Sequence, residues 1–178
     1  MVRLGALALL IGLAGCQPAP PTAADRALAA GDWHRFEANF TAAGQRTELD
    51  LGESRHAAIL DLRGSMLVSS DEAPARGFGV QVIGFSDTES GFVGRAVWTD
   101  ERGDKLFSAL RGQSVQGGAR IEGSFLGGTG RFAGAQGSYE FVWRYVLETE
   151  EGKVQGRAQD VRGRLRVGGS APPAERPS

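Results

Sequence analysis

The sequence predicts an all-β protein: a small antiparallel closed β-barrel of about eight strands, with a short N-terminal helix and a disordered C-terminal tail. Three observations carry this reading. Apolar residues recur with period two through most of residues 32–167. Turn signals arrive about every ten residues. The 27 glycines are spread through apolar segments instead of being gathered in a linker, as strands that turn and bend require. The 178 residues suffice for one domain with its own core. The 20 basic and 21 acidic side chains nearly cancel, which gives no electrostatic basis for holding nucleic acid.

The elements follow in order. Residues 1–15 read as a signal peptide: a positive start at Arg3, an apolar run from Leu4 to Leu13, and small residues before Cys16. The apolar run is too short for a membrane-spanning helix. Cys16 is the single cysteine, so catalysis by a second thiol and any internal disulfide are excluded. Residues 16–31 form a tether: Gln17 to Pro21 is stiff and extended, and Ala23 to Ala30 is a short helix closed by Gly31. The barrel domain is residues 32–167, and residues 168–178 are the tail, rich in Pro, Gly and Ser.

Within the domain, Trp33 to Thr41 alternates, with His34, Phe36, Ala38 and Phe40 on one face. Ala43-Gly44-Gln45 reads as a turn into a second strand, Arg46 to Leu51. The next strand runs past Ala58, Leu60, Leu62, Met66 and Val68. The polar stretch Asp71 to Gly77 is the longest interruption and reads as a mobile rim loop. Further strands are expected over Phe78 to Ser86, Gly91 to Thr99, Lys105 to Arg111 and Ala119 to Leu126. The strongest alternation is in Ser138 to Thr149, with Tyr139, Phe141, Trp143 and Tyr145 on one face. The last strand spans Lys153 to Val167, and its phase changes between Ala158 and Val161, as a β-bulge would cause.

The glycine-rich stretch Gly127-Gly-Thr-Gly-Arg-Phe-Ala-Gly134 raises the question of a phosphate loop. A P-loop needs Lys followed by Ser or Thr, and a dinucleotide fingerprint needs G-x-G-x-x-G opening a helix. Here Arg131 and Phe132 occupy the critical positions and a strand follows. The stretch is therefore a structural turn built on Gly127, Gly128, Gly130 and Gly134, with Phe132 as an apolar plug at the barrel end.

Two resemblances attach to these residues. Leu13-Ala14-Gly15-Cys16 resembles the lipobox of bacterial lipoproteins, which implies cleavage before Cys16, lipidation there by palmitate-type acyl chains, and a membrane partner. Gln17 in the next position implies sorting to the cell outer membrane, facing the periplasm. The glycine stretch, with the upstream hairpin Val97 to Gly112, resembles the allene oxide cyclase-like and dirigent-like barrels, a calycin-like family. The likeness covers about Phe78 to Val167. It implies an eight-stranded barrel with an apolar interior used to cyclise or orient hydrophobic molecules, and it places no family catalytic residue on this chain.

Other constellations point to less. His34 and His56, without cysteine or an acidic cluster, make a zinc site improbable, and no G-x-S-x-G elbow is present. Asp100 and Asp104 flank a glycine, yet the remaining ligands of a calcium loop are missing, so a tight hairpin is the better reading. Neither a metal nor a cofactor is expected. Asp61 and Asp160 lie in apolar strands and, with His34, are the candidate acids and bases should the barrel be an isomerase or cyclase. Arg157, Arg162, Arg164 and Arg166 read as an outer face paired with Glu140, Glu148 and Glu150, or as a contact for lipid headgroups. The ligand-binding candidates are the aromatic side chains Phe36, Phe40, Trp98, Phe125, Tyr139, Phe141, Trp143 and Tyr145. The expected function is a lipid-anchored envelope barrel that binds a small hydrophobic ligand without catalysis. The alternatives are an isomerase and a solid, partner-binding barrel.

Overall fold

The computed structural model describes residues 32–70 and 73–168 (for 73–75 the backbone only). Eight antiparallel strands close into a barrel: β1 His34–Gly52, β2 Arg55–Ser70, β3 Ala73–Asp87, β4 Gly91–Asp100, β5 Lys105–Val115, β6 Gly118–Gly128, β7 Gln136–Glu148 and β8 Lys153–Arg166. Each strand pairs with the next, and β8 returns to β1 with His34 opposite Leu165, so no edge is left open. The other element is a single 3-10 turn, Gly130–Phe132. The expected N-terminal helix and C-terminal tail lie outside the described residues.

Period-two alternation decides what faces inward. On β1 the buried side chains are Phe36, Ala38, Phe40 and Ala42, and on β7 they are Tyr139, Phe141 and Trp143. Large rings fit inside so narrow a barrel because glycines on neighbouring strands leave them room. A methyl at Gly123 would strike the Tyr139 ring, and one at Gly156 would strike Trp143.

Three sequence expectations change. Ala43-Gly44-Gln45 is not a turn. β1 runs straight through it, with Gly44 opposite Leu62 on β2 and Val154 on β8. Glycine is needed there because a side chain would run into the Asp61 carbonyl. Asp71 to Gly77 is not a long loop either. Pairing reaches Ser70 and Ala73, so the second half of that polar stretch is strand. The arginines of β8 are paired only in part as expected. Arg162 opposes Glu140 in register yet lies 3.5 Å from Glu37, while Arg164 and Arg166 stack on Trp33. Glu148 pairs with Arg46 instead.

The bulge expected near Ala158 is present. Phe40 faces Ala158 and Ala38 faces Val161, so two residues of β8, Gln159 and Asp160, oppose Asn39 alone. Asp160 takes the left-handed conformation with φ of 57°. The extra residue restores the inward phase of Val161, which is fully buried.

Candidate functional site

The two ends of the barrel differ. The strand order places the β2–β3, β4–β5 and β6–β7 connections at one end, together with the entry of the chain at Asp32 and its exit at Val167. The hairpins β1–β2, β3–β4, β5–β6 and β7–β8 lie at the other.

The first end is closed. Its core is an aromatic cluster in which Trp98 lies 4.9 Å from Tyr139 and 5.3 Å from Phe125, with Phe36 6.1 Å away. The Tyr139 hydroxyl and Ser108 Oγ share a buried 2.7 Å hydrogen bond. Burial pushes the Tyr139 hydroxyl up to about 12, with Ser108 and Trp98 pulling back only in part. Phe132 lies over this cluster, 2% exposed and 5.8 Å from Phe78.

The glycine stretch holds that plug in place. Gly127, Gly130 and Gly134 all have positive φ. Thr129 exchanges hydrogen bonds with the main chain of Lys105, donating its N–H (2.8 Å) and accepting at Oγ1 (2.9 Å). Arg131 binds both carboxylates of the β4–β5 hairpin: its Nε donates to Asp104 Oδ2 at 3.0 Å, and its Nη2 to Asp100 Oδ2. The Asp100 side chain is wholly buried and also accepts the N–H groups of Arg102 and Asp104. Both carboxylates of the suspected calcium loop are thus occupied by a guanidinium and by main-chain donors. Their work is to lock one connection onto another.

The second end is open. It holds a cavity of about 200 Å³ whose wall is mostly apolar and includes Phe40, Leu62, Phe92, Leu110, Phe141 and Trp143. Tyr145 stands at its mouth beside Arg46, Asp87 and Glu148. Burial raises the Tyr145 hydroxyl, so it stays protonated and able to donate at neutral pH. The indole Nε1 of Trp143 is buried, and the Tyr145 hydroxyl is the polar group beside it, where the indole offsets part of the upward push that burial gives the hydroxyl.

Of the eight aromatic candidates, Phe40, Phe141, Trp143 and Tyr145 line this cavity. Phe36, Trp98, Phe125 and Tyr139 instead pack against one another in the closed half. Asp61 and Asp160 are exposed on the outer wall, and His34 stands at the closed end, so none of the three lines the cavity. Sequence reading missed Leu62, Phe92 and Leu110 as wall residues, and Arg46 and Glu148 at the mouth. The signal for Phe92 was present: it lies between Gly84 and Gly94, whose missing side chains make space for its ring.

A second concavity, about 450 Å³, lies on the outer wall where the β7–β8 ladder is interrupted between Glu140 and Arg144. Its lining is polar, with Arg120, Arg144, Arg157 and Arg162 facing Glu140 and Asp160. Comparison of the chain with protein-family models, with curated proteins and with solved structures found no match.

Proposed function

We propose that this protein is a lipid-anchored barrel of the cell envelope that takes up a small hydrophobic molecule at its open end, within the allene oxide cyclase-like and dirigent-like group. The observation that carries the reading is an apolar cavity of about 200 Å³ at one end of an otherwise packed barrel. A barrel of eight strands is either packed solid or left with room for one small ligand, and this one keeps room at one end. The titratable groups of the lining are Arg46, Asp87, Tyr145 and Glu148, and Arg46 and Glu148 are already paired with each other, which favours binding over chemistry.

The anchor reading rests on Leu13 to Cys16. Asp32 enters at the closed end, so a tether from an acylated Cys16 would join the barrel there and not at the mouth. Several acyl chains would hold such a protein stably, since each buried CH₂ contributes about 0.8 kcal/mol. Cys16→Ser should abolish incorporation of labelled palmitate and release the protein from the membrane fraction. Retention of both label and membrane association would refute the anchor. For the ligand, an organic extract of protein purified from its own cells should yield a reproducible apolar compound at up to one per chain. An extract indistinguishable from that of an unrelated protein of the same compartment would count against it.

A second reading has one observation in its favour. Ile59, Phe85 and Val93 are opposite one another across β2, β3 and β4 and are all exposed, an apolar row suited to a protein partner.

A further inference from the structure

We infer that the outer face of β2, β3 and β4 is the contact between two copies of this chain, related by a two-fold axis that runs along β3. This rests on the protein-partner reading of the apolar row and names the partner. It owes nothing to the ligand or the anchor.

Register defines the face. Ile59, Phe85 and Val93 stand opposite one another on the three strands, and in the adjoining row Asp61, Ile83 and Arg95 do the same. All six side chains are exposed, the four apolar ones by 44% to 58%. Single exposed apolar residues are ordinary, but these four adjoin one another across three strands. The barrel is closed and offers no strand edge to another chain, so association has to use a wall.

Charge then selects the occupant. Asp61 and Arg95 flank Ile83 at the same level, one on either side. Arg95 Nη1 donates to the Gly94 carbonyl at 2.8 Å, and the Asp61 carboxylate has Arg63 at 3.9 Å. Both groups keep most of their hydrogen-bonding capacity for a further partner. A two-fold axis along β3 lays β2 of one copy over β4 of the other. Asp61 then faces the second copy's Arg95, and Arg95 faces the second copy's Asp61. Ile59 meets Val93 in the same exchange, while Ile83 and Phe85 meet their own counterparts on the axis. Turning the axis across the strands would instead set Asp61 against Asp61, Arg95 against Arg95, and Phe85 against Gln81. Self-complementarity in sign and in polarity therefore fixes one arrangement. A bilayer fits less well, because covering Ile83 with hydrocarbon would strip water from the two charges beside it without pairing them.

The face is small, so the dimer belongs at the weak end of specific interfaces, with a dissociation constant on the order of 10–100 μM. The test is sedimentation equilibrium of the full chain in a density-matched neutral detergent, at concentrations spanning that range. Wild type should dimerise reversibly. Asp61→Arg and Arg95→Asp, each with an unchanged circular dichroism spectrum, should each weaken self-association by about tenfold or more, since each sets like charges face to face. An equal mixture of the two variants should recover wild-type association, because every facing pair is again opposite in sign. A variant that had merely misfolded would not recover on mixing. A wild type that stays monomeric throughout overturns the inference and leaves the row to a different protein. Dimers indifferent to both substitutions, with no preference in the mixture, overturn it equally. In a second arm, Phe85→Trp is placed in vesicles of brominated phosphatidylcholine. Quenching of the added emission would put the row in the bilayer and overturn the protein-partner reading as well. Unquenched emission together with recovery on mixing supports both.

Discussion

Tyr139 shows how one side chain ties the closed half together. Its ring occupies the space left by Gly123, and its hydroxyl satisfies Ser108 where neither can reach water. In the unfolded chain a tyrosine titrates near 10, and in the barrel this one is pushed up to about 12. Folding therefore favours the protonated hydroxyl. Its contribution is intact below pH 10 and is lost as pH rises through about 12, by about 2–3 kcal/mol in all. Urea unfolding of the wild type across that window should show the loss, and Tyr139→Phe should flatten it. At neutral pH the same variant should cost about 1–2 kcal/mol, because Ser108 is left buried without a partner. A neutral-pH loss with an unchanged alkaline slope would assign the titration to another group. The ring itself was readable from the alternation of β7. Its bond to Ser108 was not, because the two residues meet only when β5 and β7 curve around the same interior.

Two connections carry element-scale predictions. Arg131 joins the β6–β7 connection to the β4–β5 hairpin through Asp100 and Asp104. Removing it as Arg131→Ala leaves a buried carboxylate unpaired, which should cost about 3–5 kcal/mol in chemical denaturation. Arg131→Lys should recover only part, since an ammonium cannot present two donors in a fixed fork. Equal stability of wild type and Arg131→Ala would show the lock to be ornamental. The bulge in β8 makes the second prediction. Asp160 sits at φ of 57°, so Asp160→Gly should be neutral or stabilise by up to about 1 kcal/mol. Asp160→Val should cost about 1–3 kcal/mol, because a β-branched residue resists that conformation. This bulge was readable because it leaves a phase slip in a long alternating run. The continuity of β1 through Gly44 was not readable. Glycine in a crowded strand and glycine in a turn look alike until the neighbouring strand is in place.

For the whole molecule, closure was foreseeable from even strand number and pervasive alternation. The cavity at one end of a packed interior was not. All eight aromatic candidates share the inward phase, and period two says which wall a ring is on but not how far along the axis it sits. Depth is set by register and by the plug at Phe132, both of which are long-range. The account's central claim is that the cavity at the open end is a binding site, and Ala119 allows it to be tested. This small residue lines the cavity, and Ala119→Trp would fill the opening while leaving the closed half untouched. Titration of both proteins with N-phenyl-1-naphthylamine should give saturable fluorescence enhancement at one dye per chain for the wild type. Ala119→Trp, with an unchanged circular dichroism spectrum, should show none. Saturation of equal amplitude in both proteins, or in neither, would contradict a ligand site at the open end of the barrel.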